Sequence, residues 1–99
     1  MAIVRWAQRA QDDLHEVYRF IARDSPRAAQ AVVERLLRAT ERLALFPESG
    51  RMVPEFPELN YREILVGSYR VLHRLEGDTV WIVAIVHGRR LLDSEPSDV

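Results

Sequence analysis

The chain has 99 residues, 47% hydrophobic and 29% charged, with a formal net charge of -1 and a pI near 6.3. These values fit a single globular domain over residues 1–99, and they exclude a disordered chain or one drawn to nucleic acid by bulk charge. All 14 basic residues are arginine and there is no cysteine, which excludes lysine bases, Schiff bases, thiol nucleophiles, disulfides and cysteine-ligated zinc.

Ala2 to Trp6 (AIVRW) is short and rich in β-formers, so it is expected to join a sheet made by later strands. From about Gln8 to Arg23 the period becomes helical. Ala10, Leu14, Val17 and Ile21 recur at steps of four, three and four and make one apolar face. Asp12 and Asp13 lie in the first turns, where negative charge suits the helix dipole. Asp24-Ser25-Pro26 then stops this helix and starts another, with Ser25 as N-cap and Pro26 at the first helical position. The second helix runs to about Ala44, with Ala29, Val32, Val33, Leu36, Leu37, Thr40 and Leu43 as a wide apolar stripe. Together the two helices form an antiparallel hairpin.

Between Leu45 and Asn60 the period vanishes. Pro47, Pro54, Pro57 and Gly50 exclude regular helix or central strand, and Glu48, Arg51, Glu55 and Glu58 read as members of a solvated connector. Tyr61 to Arg90 reads as three strands joined at Gly67-Ser68 and Gly77-Asp78, both of which fit two-residue hairpin turns. The turns predict a register. In the first hairpin Val66 faces Tyr69, Leu65 faces Arg70, Ile64 faces Val71 and Glu63 faces Leu72. In the second Leu75 faces Val80, Arg74 faces Trp81, Leu72 faces Val83 and Arg70 faces Ile85.

Alternation then sorts two faces. Ile64, Val66, Tyr69, Val71, Leu75, Val80, Ile82, Ala84 and Val86 belong against the helical hairpin, with Arg62 and His73 toward one end. The other face carries Tyr61, Glu63, Leu65, Arg70, Leu72, Arg74, Trp81, Val83, Ile85 and His87. That face is apolar in the middle yet set with arginine and aromatic groups, the composition of a surface that something else covers. Its plainest pairings are Arg70 with Glu63 and Arg74 stacked on Trp81. Jointly, Arg70, Arg74, Arg89 and Arg90 suit a carboxylate, a phosphate or a partner helix. Gly88, in His87-Gly88-Arg89-Arg90, predicts a bend that frees the two arginines from the sheet.

No phosphate-binding glycine loop, HExxH or nucleophile elbow is present. His15, His73 and His87 have no metal-ligand spacing, so neither a metal nor a cofactor is expected. His15 is placed on the exposed face of the first helix and His73 as a hydrogen-bonded edge residue on the helix-facing side. No apolar stretch approaches the ~18 residues of a membrane span and no leader opens the chain, so a cytoplasmic protein is expected. The tail from Leu91 to Val99 is short and polar and is expected to fray.

W-A-x-x-A-x-x-D-L at Trp6 to Leu14, S-P-x-x-A at Ser25 to Ala29 and L-x-x-F-P-x-x-G-R at Leu43 to Arg51 occur in order. Y-R-E at Tyr61, Y-R-V at Tyr69 and H-G-R-R at His87 follow. As a set they resemble the RelE/ParE toxin superfamily of type II toxin–antitoxin modules over almost the whole chain. The resemblance implies an α+β fold of order β-α-α-β-β-β, with a helical hairpin on one face of a mostly antiparallel four-stranded sheet. It also implies a cognate antitoxin, ParD-like or related, and a possible higher-order toxin–antitoxin complex, with no sequence-specific DNA binding by the toxin alone.

Within the superfamily, RelE-like members cleave messenger RNA on the ribosome through basic side chains on the open sheet face. Arg70 and Arg90 match arginines used that way, and His87 could loosely imitate the histidine of a related subgroup. The strand lysines of that pattern correspond here to Tyr61 and Glu63, and its C-terminal tyrosine has no counterpart. Arginine alone stabilises charge but transfers protons poorly. The ParE-like branch, which inhibits DNA gyrase, is therefore the expectation, with no catalytic residues. Tyr61, Glu63, Arg70, Arg74, Trp81, His87, Arg89 and Arg90 are then its partner-binding residues. The alternatives are a ribosome-dependent endoribonuclease using Arg70, His87 and Arg90, and a non-toxic member that only binds its antitoxin.

Overall fold

The structure, a computed structural model, describes residues 1–92 and 95–96. Strand β1 (Ile3–Trp6) leads into helices α1 (Gln8–Ala22) and α2 (Pro26–Glu41), and a 3-10 turn (Arg42–Ala44) closes the second helix. Then come β2 (Arg51–Met52), β3 (Arg62–Val66), β4 (Tyr69–Glu76) and β5 (Thr79–His87). The start of α2 forms as its residues dictate. Ser25 is extended, its Oγ accepts the Ala28 N–H at 3.1 Å, and Pro26 follows where no N–H is needed.

The sheet order is β1-β5-β4-β3-β2, with β1 parallel to β5 and the other pairs antiparallel. The sheet therefore has five strands, not the expected four. The extra one, β2, is only two residues long and pairs Arg51 with Glu63 and Met52 with Arg62. Gly50 makes this approach possible. Its φ is +90°, and a Cβ built there would lie 2.1 Å from the Glu63 carbonyl oxygen, so only glycine fits. Gly67 and Gly77 also have positive φ, while among the described residues no other residue type does, as type II′ hairpin turns require.

The first hairpin has the register expected from its turn. The second keeps it from Glu76↔Thr79 to His73↔Ile82, after which Leu72 faces Ala84 and Arg70 faces Val86. Val83 is the extra residue of a β-bulge, which replaces the expected pairs Leu72–Val83 and Arg70–Ile85. The bulge exchanges the faces of the rest of β5. Ile85 joins the helix-side core with Val71, Val80, Ile82, Ala10, Val17 and Leu36, whereas Ala84 and Val86 pass to the opposite cluster.

Asp13 on α1 settles the backbone cost of this irregularity. β1 makes its last pair with β5 at Trp6↔Ile82, so beyond that point the same side of β5 has no neighbouring strand. The Ile85 N–H donates instead to Asp13 Oδ2 at 2.9 Å. Burial raises the Asp13 pKa, against the lowering effect of that hydrogen bond and of Arg9.

Candidate functional site

The sheet face away from the helices is covered, and the cover is the chain itself. Val53, Tyr61 and Leu92 are buried in one cluster with Leu72, Val83, Ala84 and Val86, and Phe56, Leu59 and Trp81 pack against it. The Tyr61 hydroxyl donates to the Pro96 carbonyl at 3.0 Å. Leu92 and Pro96 are thus docked where a frayed tail was expected; the rest of that expectation, at residues 93–94 and 97–99, lies outside the described residues. The connector expected to be solvated is partly core, because a sheet with an apolar second face needs a second layer.

Arg70 stands at the centre of this layer, 4% exposed. Its Nε donates to Glu63 Oε1 at 2.8 Å, and Nη2 reaches the same oxygen at 2.6 Å. Nη2 and Nη1 grip the two oxygens of Glu55 at 2.7 and 2.8 Å, and Nη1 also donates to the Arg90 carbonyl at 2.9 Å. Four hydrogen bonds and the additional Nη2–Glu63 ionic contact engage all three guanidinium nitrogens. The second oxygen of the buried Glu63 accepts from Arg51 Nε at 2.7 Å, so two arginines and two glutamates form a neutral chain. The Arg70 hydrogen bond holds the Glu55 carboxyl down to about 2, and the two carboxylates hold the Arg70 guanidinium above its ordinary range.

Tyr61, Glu63 and Arg70, three of the eight residues assigned to partner binding, are therefore buried under the chain's own second layer. Arg74 is half-buried and pairs with Glu76 at 3.1 Å in place of the stacking expected on Trp81, itself half-buried. His87, expected on the open face, is turned by the bulge toward the helix side. There its ring meets Tyr69 edge-on at 5.7 Å, beside a groove lined by Phe20, Ile21 and Val32. Arg89 and Arg90 are exposed just past the end of β5, as Gly88 led one to expect. That turn is tied by Gly88 N–H to the Ser68 carbonyl at 2.7 Å and Arg90 N–H to the His87 carbonyl at 2.9 Å.

Of Arg70, His87 and Arg90, the set an endoribonuclease would use, Arg70 and His87 line one shallow pocket with Arg51 and Arg89, but the Arg70 guanidinium there is engaged by Glu55 and Glu63, and Arg90 meets it through its backbone carbonyl. His15 is exposed on α1, as expected. His73 is fully buried on an interior strand instead of at an edge, with Nε2 3.1 Å from the Ser49 carbonyl. Burial pushes its pKa down to about 4. Among the described residues no group of three or more His, Asp or Glu could hold a metal.

Sequence reasoning missed Glu55 and Asp13. Glu55 sits in the segment V-P-E-F-P-E-L, and an acid flanked by prolines and aromatics is the one signal that it packs instead of facing solvent. Asp13 carried no signal beyond its place in the first turns of a helix.

The family described as the ParE toxin of type II toxin–antitoxin system, parDE, matches residues 4–92. Toxin RelE2 of Caulobacter vibrioides is 37% identical over 92 residues, covering 92% of this chain and all of that protein. A putative toxin of Sinorhizobium fredii, Y4kP, is 34% identical over 89 residues, 88% of each chain. Among solved structures, a chromosomal ParDE toxin–antitoxin system from P. aeruginosa superposes with a TM-score of 0.71 at 20% identity, over 88% of this chain and 96% of that one. The toxin–antitoxin complex RelBE2 from Mycobacterium tuberculosis gives 0.55 at 26% identity, over 87% and 96%.

Proposed function

The chain belongs to the ParE toxin family, in the RelE/ParE superfamily of type II toxin–antitoxin systems, and from that premise we propose that it is a cytoplasmic toxin that inhibits DNA gyrase and is neutralised by a cognate antitoxin. The observation that carries this reading is the engagement of Arg70. The arginine that the RelE-like pattern would turn on a phosphate has all three guanidinium nitrogens hydrogen-bonded to Glu55, Glu63 and the Arg90 carbonyl. The sheet face around it is covered by Val53, Tyr61 and Leu92. Phosphoryl transfer without a metal needs a proton donor and acceptor placed at the reacting oxygens. Arg89 and Arg90 form an exposed basic rim past the end of β5, and we assign target contact to it.

An antitoxin partner is supported by the solved relatives, which come from toxin–antitoxin systems. No helix of the described residues is long and apolar enough to cross a membrane. The test is a pair of assays on the purified toxin. It should inhibit gyrase supercoiling and leave ribosome-bound messages intact; codon-specific cleavage in a translating extract, with supercoiling unaffected, would overturn the reading.

A further inference from the structure

The geometry points to Glu55 as a positioning residue that fixes the direction of the exposed Arg89–Arg90 pair, acting through Arg70 and the backbone. This rests on the assignment of target contact to that rim. Two bonds tie the segment after β5 to the Glu55–Arg70 ion pair. Arg70 Nη1 donates to the Arg90 carbonyl at 2.9 Å, and Glu55 Oε2, which itself receives Arg70 Nη1 at 2.8 Å, accepts the Leu92 N–H at 3.0 Å. Both sides of the Arg90–Leu92 backbone are thus held by a buried bidentate pair on the face opposite the helices. The other end of the turn is held at Gly88 by the Ser68 carbonyl. Between these anchors the two guanidinium groups project from a fixed backbone, so little conformational freedom is lost when a partner engages them. A solvated Glu55 would leave the Leu92 N–H without its acceptor and the Arg70 group that holds the Arg90 carbonyl without its bidentate partner.

Glu55→Gln keeps the shape and one acceptor but removes the charge-assisted bidentate grip. The test measures, in the full-length toxin, amide exchange at Leu92, thermal stability, and the amount of toxin needed to arrest growth on titrated expression. The variants are Glu55→Gln, Glu55→Asp, the pair Arg89→Ala/Arg90→Ala, and the triple variant. Glu55→Gln is expected to speed Leu92 exchange and to need about tenfold more toxin for arrest, the scale seen when one arginine is removed from an interface. The triple variant is expected to be no weaker than the arginine pair alone, because Glu55 acts only through that rim. A folded Glu55→Gln toxin with faster Leu92 exchange and full potency would overturn the inference, as would a triple variant weakened by the full product of the two effects. Should Glu55→Gln fail to fold, Glu55→Asp carries the same two criteria. Full potency of the arginine pair variant would instead remove the rim assignment, and the inference with it.

Discussion

Replacing Arg70 by alanine tests the account of the sheet's second face most directly. The substitution leaves Glu63, 1% exposed, with only the exposed Arg51 as partner, and strips Glu55 of both its hydrogen bonds to the guanidinium. Removing one member of a buried ion pair costs about 3–5 kcal/mol, because the other charge is left buried. A second route gives a similar size. Arg70 holds the Glu55 pKa from an ordinary 4.5 down to about 2, a difference worth about 3 kcal/mol. Since the folded value is the depressed one, this stabilisation is complete above pH 4.5 and is lost as the pH falls toward 2. Urea denaturation of wild type and Arg70→Ala, followed by circular dichroism, should show a gap of about 3–5 kcal/mol at pH 7. Of that gap, about 2 kcal/mol should be gone at pH 3. For a domain of this size the pH 7 loss lowers Tm by roughly 20 °C. A gap below about 1 kcal/mol at pH 7, the size typical of exposed pairs, would refute the buried hub. So would a gap that does not narrow on acidification.

Gly50→Ala forces a residue with φ of +90° to carry a Cβ against the Glu63 carbonyl, so it should cost about 2 kcal/mol or more, read as a lower urea midpoint. His73 is buried with a pKa near 4 against an ordinary 6.5. The unfolded chain therefore takes its proton first, and stability should fall by about 1.4 kcal/mol per pH unit from 6.5 down to 4. Melting curves of His73→Phe should lose that slope; an unchanged slope would place its origin elsewhere. Asp13→Ala leaves the Ile85 N–H without its acceptor and should cost roughly 1–3 kcal/mol, whereas Asp13→Asn keeps an oxygen at that position and should cost much less. Equal effects of the two on Tm would count against the cap.

The helices were legible because their signals are local. The apolar steps from Ala10 to Ile21 and the Ser25-Pro26 start set α1 and α2 without help from the rest of the fold. Both hairpin turns were legible for the same reason, since only glycine supplies positive φ cheaply at their first positions. The bulge was not. From Trp81 to Val86 every residue is apolar, so a shift of one residue leaves no trace in the hydrophobic pattern. It exchanges Ile85 with Ala84 and Val86 between layers and sets the His87 ring edge-on against Tyr69. β2 was equally hidden, because two residues carry no period and the strand exists through the close approach of Gly50 to β3. At the candidate site the Arg70–Glu63 pairing followed from register, but Glu55 reaches Arg70 from a loop fifteen residues away, and no spacing rule predicts that.

The same ion-pair chain bears on which branch of the superfamily this toxin follows. An arginine that serves a phosphate in a reaction must offer at least two donors at the moment the charge develops. Here those donors are the Nη1 and Nη2 hydrogens gripped by Glu55. Opening that grip gives up a charge-assisted bidentate pair, so the state with Arg70 available is disfavoured. A substrate would have to offset that penalty, and would also have to displace Leu92 and Pro96 from the sheet face. A binding surface at the rim meets no such penalty, because Arg89 and Arg90 are exposed with the grip closed. On this reckoning Arg70 serves function by staying engaged.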